Sequence, residues 1–139
     1  MAGSFADFAE NTVLDELFGG TNYAPPATLY VALFTARGTD NQSDAGTNFV
    51  EVTGGSYVRK SVTNNLTNFP AAVSGAKSNG VAITFASATA DWGTVIACGI
   101  YDAVTAGNLL AWSDFTQSKV ISNTDQAIIS IGAMAITLS

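Results

Sequence analysis

The chain has 139 residues, with eleven acidic and five basic side chains, no histidine and one cysteine. That length fits a single domain, expected over residues 1–139, and a lone cysteine excludes an internal disulfide framework. The net charge is −6 and the bases are scattered at Arg37, Arg59, Lys60, Lys77 and Lys119, which excludes the clustered cations that direct nucleic-acid binding requires.

The first predicted element is a short helix over about residues 4–18. Apolar residues at Phe5, Phe8, Val13, Leu14, Leu17 and Phe18 approximate helical spacing. Ser4 is the expected N-cap, Asp7 completes an acidic capping box, and Gly19-Gly20 ends the helix. Asp7, Glu10, Asp15 and Glu16 give it a negative outer face, read as a solvated face or a docking surface for a basic partner. The five residues Phe5, Phe8, Leu14, Leu17 and Phe18 need burial, which favours a helix that closes one end of the domain, with an attachment arm as the open alternative. Met1 to Asp7 has neither the positive region nor the apolar run of a secretory leader. No apolar run approaches the ~20 residues of a membrane span, and a soluble chain is expected.

From Thr28 to Thr35 the residues have strong β character and are apolar on alternate and intervening positions, as in a strand buried on both faces. Ala36 to Asn48 reads as a polar loop, Phe49 to Thr53 as a short strand, and Gly54-Gly55 as a turn into a strand over Ser56–Thr63. Asn64 to Asn79 reads as an irregular connection or weak edge. Further strands are expected at Val81–Phe85, Gly93–Asp102, Asn108–Phe115, Lys119–Ser122, Gln126–Ile131 and Met134–Leu138, with a kink at Gly132. Short strands with frequent turns define a mainly β fold, an antiparallel β-sandwich or jelly-roll-like domain with one N-terminal α-helix. Only 12% of residues are charged while 47% are hydrophobic, a balance that exposes apolar surface and points to assembly with other chains.

The absence of histidine removes Ser-His-Asp triads, Cys-His pairs and histidine-based zinc sites. The apolar flanks of Cys98 mark it as a small buried hydrophobe without a neighbouring cation to activate it. No phosphate-cradling glycine motif is present. Asp91 and Asp102 are the nearest candidates for a glycosidase carboxylate pair, against structural roles in a turn and at a strand end. Asp40, Gln42 and Asp44 with Glu51 faintly echo a calcium loop, but Ala45 stands where its glycine should be. No catalytic residue, cofactor or metal site is therefore expected, and the chain reads as a non-enzyme. Trp92 and Trp112 are read as core or interface packing, with an exposed sugar-stacking platform as the alternative. Arg59 and Lys60, the only adjacent bases, are a candidate anchor for an acidic surface such as a neighbour's helix, or else for an intrachain pair with Glu51.

Several segments, in order, resemble a family of small tailed-bacteriophage virion proteins, described as tail-fibre or minor structural proteins. They are Leu14-Asp15-Glu16-Leu17-Phe18-Gly19-Gly20, Pro26-Ala27-Thr28-Leu29-Tyr30-Val31-Ala32-Leu33-Phe34-Thr35 and Glu51-Val52-Thr53-Gly54-Gly55-Ser56-Tyr57-Val58-Arg59-Lys60. The most distinctive is Thr84-Phe85-Ala86-Ser87-Ala88-Thr89-Ala90-Asp91-Trp92-Gly93-Thr94-Val95. Ile100-Tyr101-Asp102-Ala103, Gly107-Asn108-Leu109-Leu110-Ala111-Trp112 and Gly132-Ala133-Met134-Ala135-Ile136-Thr137-Leu138 complete the set. The resemblance spans nearly the whole chain and implies a virion location, a structural role and partners among other virion proteins. It also implies symmetric assembly, with a trimer favoured. Interface candidates are Phe5, Phe8, Arg59, Lys60, Trp92 and Trp112. The alternatives are a capsid decoration (cement) protein and, from another class, a host-glycan-binding module.

Overall fold

A central ribbon of two long antiparallel strands organises the chain. In a computed structural model, which describes residues 3–37 and 49–138, these are β7 (Gly93–Tyr101) and β8 (Leu109–Ile121). On one side β7 pairs with β2 (Thr28–Arg37), whose outer edge is shared end to end by β3 (Phe49–Glu51) and β4 (Lys60–Thr63). On the other side β8 pairs with β1 (Gly3–Phe5), then β10 (Ala135–Thr137) and β5 (Ala76–Ser78). A second sheet of two strands, β6 (Ile83–Ser87) and β9 (Gln126–Ile129), completes the strands among the described residues. The fold is mainly β with one helix, α1 (Asp7–Phe18).

β2 is buried on both faces, as its unbroken apolar run predicts. Leu29, Val31 and Leu33 join the larger core with Cys98, Ile100, Ile121 and the β6–β9 residues Ile83, Phe85, Ala127 and Ile129. Ala32 and Phe34 point the other way, into a second core with Phe49, Tyr101, Leu109 and Trp112. The two cores make the arrangement sandwich-like around the central sheet. Gly99 opposes both Ala32 and Trp112 in register. A Cβ there would come within 2.6 Å of the Phe34 ring and 2.8 Å of Leu109, so only glycine lets those side chains lie across the sheet.

Several expectations need correction. The helix begins at Asp7, not Ser4, because residues 3–5 form β1. Ser4 pairs with Trp112 on one side and Thr137 on the other. Ladder bonds to two strands outweigh one side-chain cap, worth about 1 kcal/mol. The helix N-cap is instead Ala6, with extended backbone and no side-chain cap. The stop at Gly19-Gly20 holds: Gly20 adopts φ +67° and lets Thr21 N–H turn back to the Asp15 carbonyl. β1 runs parallel to β10, so the sheet is not wholly antiparallel.

The expected strand over Ser56–Thr63 starts only at Lys60. Gly54, Gly55 and Ser56 all have positive φ (76°, 55° and 62°), which prolongs the turn. The two pieces expected at 108–115 and 119–122 are one strand, β8. Val95 pairs with Lys119 but Ala97 with Asp114, so residues 115–118 bulge away from β7 at the expected break. The weak edge expected within 64–79 contains the edge strand β5.

Cys98 is fully buried, its thiol directed at the Ser113 carbonyl 3.6 Å away. Burial pushes the thiol well above its ordinary value of 9.0. Burial likewise raises the phenols of Tyr57 and Tyr101 above 10.0. Each group holds its proton more tightly folded than unfolded, so its stabilisation is complete below the unfolded pKa and lost as pH rises above it. Denaturant stability is expected to fall between about pH 9 and 11, with native Cys98 unlabelled by thiol reagents below that range. Stability constant across that window, or rapid labelling of the native protein, would contradict this placement.

Candidate assembly surface

The turn at Gly54-Gly55-Ser56 builds the most elaborate side-chain network. Its three left-handed residues bring the Gly55 carbonyl to the Trp92 indole, whose Nε1–H donates to it at 2.9 Å. A Cβ at Gly55 would lie 2.8 Å from that nitrogen, so the close approach requires glycine. Trp92 packs edge-on to Tyr57 and Phe85, with centroids at 5.4 and 6.4 Å. The Tyr57 hydroxyl donates to Glu51 Oε1 at 2.8 Å and accepts the Leu33 N–H at 2.9 Å.

Glu51 is the hub of this network. Its carboxylate also receives Nε and Nη2 of Arg59 at 2.9 and 2.8 Å, a two-point pair. Arg59 Nη1 reaches the Ala103 and Ala106 carbonyls at 2.9 and 2.7 Å, clasping the turn between β7 and β8. The guanidinium carbon lies 3.5 Å from the Tyr101 ring centroid, and the Arg59 side chain is only 9% exposed. Arg59 therefore takes the intrachain option. Lys60, next to it, is exposed on edge strand β4.

A second basic side chain is used similarly across the sheet. Arg37 forms a two-point pair with Asp114, and its guanidinium lies 4.5 Å from the Trp112 ring centroid. Trp112 sits beside Phe49, centroids 6.1 Å apart. Trp92 and Trp112 thus lie in different cores, both buried. Neither offers the exposed ring that a sugar-stacking platform needs.

Phe5 and Phe8 do come together. With Ala9, Val13, Tyr23 and Ile136 they line an apolar cavity of about 220 Å³ between α1 and the sheet. No residue of α1 is buried. Phe8 and Val13 are half-buried, while Leu14, Leu17 and Phe18 are 54%, 69% and 84% exposed. The expectation that these residues close the domain holds only for the first turns. The rest is a bare apolar ridge at i, i+3 and i+4, flanked by Asp15 and Glu16. Those acids lie at the helix's negative end and the last turn has no base, so its own dipole does not favour them. Sequence periodicity identifies the ridge but assigns it to the wrong side of the surface.

The carboxylates considered for catalysis have structural partners. Asp91 accepts the Asn123 N–H, and Asp102 accepts the backbone and side-chain N–H of Asn108. They flank opposite ends of the nine-residue β7, placing them roughly 30 Å apart at about 3.3 Å per residue. A glycosidase pair needs about 5–9.5 Å. Most of the calcium-like segment, residues 40–48, lies outside the described residues, and Glu51 is engaged by Tyr57 and Arg59. Among the described residues no cluster of three or more potential metal-binding side chains occurs. No helix among them is long and apolar enough to cross a membrane.

Asn79, missed in the sequence, is a buried polar hub. Its side chain donates to the Val81 and Ser130 carbonyls and accepts the Met134 N–H, tying together the segments that lead into β6 and β10. An isolated asparagine before glycine signals a turn, and nothing local marks it as a core residue.

Comparison with known proteins gives one family. The family described as "Podophage GP4 fiber I protein gp80" matches residues 4–137 of the chain. No curated protein matches it.

Proposed function

Because this chain belongs to the podophage GP4 fiber I protein gp80 family and is a virion component, we propose that it is a non-enzymatic tail-fibre subunit. It assembles symmetrically with copies of itself as a single-domain building block, in threes. The observation that carries this reading is the exposed ridge of Leu14, Leu17 and Phe18 on α1. Contiguous apolar surface of this kind marks an interface.

The charge on α1 favours a particular type of symmetry. Two ridges packed against each other would bring Asp15 and Glu16 of one copy to the same acids of the other, and like charges repel. A head-to-tail contact avoids this, and a head-to-tail contact that closes makes a ring. Three copies are what the virion-protein resemblance implies. Lys60 then serves as a cation for the neighbour's acidic helix end, a role that Arg59, committed to Glu51, does not share. The fibre family favours a tail-fibre-like position over decoration of the shell.

Replacing Leu14, Leu17 and Phe18 together by Ser is expected to weaken assembly at least about 100-fold. Even partial burial of three large apolar side chains is worth about 3 kcal/mol. Thermal stability of the subunit should change little, because the residues are exposed in it. Native mass spectrometry across a concentration series reads both species. A wild-type chain that stays monomeric at high concentration, or a triple variant that assembles like wild type, would overturn the proposal.

A further inference from the structure

The place of β1 in the sheet suggests how copies interlock. β1 is an inserted strand, antiparallel to β8 and parallel to β10. It bridges the two sides of a slot that is shaped for it. A Cβ on Gly3 would collide with the Ala135 carbonyl oxygen, so glycine is needed at that point. The Thr137 hydroxyl donates to the Gly3 carbonyl at 2.7 Å, and the Ala6 N–H donates to the Leu110 carbonyl at 2.9 Å.

The helix beyond β1 is held much more loosely. α1 is joined to the strand through Ala6 alone, contains no buried residue and spans the apolar cavity lined by Phe5 and Phe8. After α1, residues 19–27 contain no helix or strand before β2. Gly19-Gly20 opens this connection and Pro25-Pro26 stiffens its far end. Nine extended residues reach roughly 30 Å. A tight strand, a loosely seated helix and a connection of that reach are the parts of an exchangeable arm. Exchange between identical chains preserves every arm contact, so it is a low-cost route to oligomers.

We propose that segment 3–18 is exchanged in the assembled protein: β1 of each copy fills the β8–β10 slot of a neighbour, carrying α1 with it. The partner is a second copy of this chain, since the slot fits the chain's own Gly3-Ser4-Phe5. This inference rests on the proposed self-assembly and adds to it a covalently testable connectivity.

The test uses register. Ser4 and Thr137 are direct partners on neighbouring parallel strands, with Cα atoms about 4.8 Å apart, within disulfide range. The full-length Ser4→Cys chain and a tagged full-length Thr137→Cys chain are co-expressed and oxidised, then separated without reductant. Native Cys98 stays in place, shielded by burial. At equal expression, exchange is expected to link about half of the tagged chains to untagged ones through residues 4 and 137, because about half of the neighbours that fill a tagged chain's slot carry Ser4→Cys; peptide mapping verifies the link. A second preparation carries both substitutions in one chain. If it assembles but links only to itself, and the mixed sample shows no linked pairs, the strand stays in its own chain. That result overturns exchange while self-assembly stands. A monomeric wild-type protein overturns both. Absence of an intermolecular link in either preparation also counts against exchange.

Discussion

Trp92→Ala is expected to lower stability by about 3–5 kcal/mol, the usual cost of deleting a buried tryptophan. Against a total of about 5–15 kcal/mol for a domain, that is about a fifth or more. For a chain of this size the melting temperature should fall by roughly 10–20 °C. Three losses combine. The indole fills the larger core against Tyr57 and Phe85, and its removal leaves a cavity. Its N–H no longer satisfies the Gly55 carbonyl. The Gly54-Gly55-Ser56 turn also loses the contact against which its left-handed backbone is set. Trp92→Phe separates these terms, since it keeps most of the apolar fill but not the hydrogen bond, and should cost about 1–3 kcal/mol. Calorimetry of the three proteins is sufficient. A shift below about 3 °C for Trp92→Ala would show that the indole is not a core element.

Arg59→Ala should cost about 2–4 kcal/mol. Removing one partner of a well-buried pair costs about 3–5 kcal/mol, and Glu51 is 24% exposed, so solvent reduces the effect. The change removes four hydrogen bonds and the contact with Tyr101. Arg59→Lys should rescue little, because an ammonium cannot span the Glu51 carboxylate and two carbonyls at once. A double-mutant cycle with Glu51→Gln should give a coupling of about 1–3 kcal/mol. An Arg59 that instead contacted a neighbouring copy would leave the melting of the isolated subunit unchanged and weaken assembly. Measuring melting and oligomeric state on the same variants distinguishes the two roles.

The fold was most legible where local pattern and tertiary environment agree. The apolar run of β2 announced a strand buried on both faces, and Gly93–Tyr101 alternated as a strand should. It was least legible where distant segments meet. Ser4 looks like a cap because capping is a local preference, whereas its strand role depends on β8 and β10, more than 100 residues away. Phe5 likewise fits a helix pattern until its backbone is claimed by a ladder. The ridge on α1 failed differently: hydrophobicity shows that a residue needs cover, but not whether its own chain supplies it. Among the interface candidates, Arg59, Trp92 and Trp112 are engaged within the chain, Phe5 and Phe8 line the cavity under α1, and Lys60 is exposed.

The position of β1 also imposes an order on synthesis. The Thr137 hydroxyl binds the carbonyl of Gly3 across a separation of 134 residues, so β1 cannot be enclosed on both edges until β10 has left the ribosome. At about 5–20 residues per second, that interval lasts roughly 7–27 s. Through it β1 can pair at most with β8, which emerges first, while the β10 side of its own slot remains unfinished. Chains emerging side by side from one messenger would meet in that state, so under the proposed exchange polysome spacing becomes a variable that sets whose slot β1 fills first.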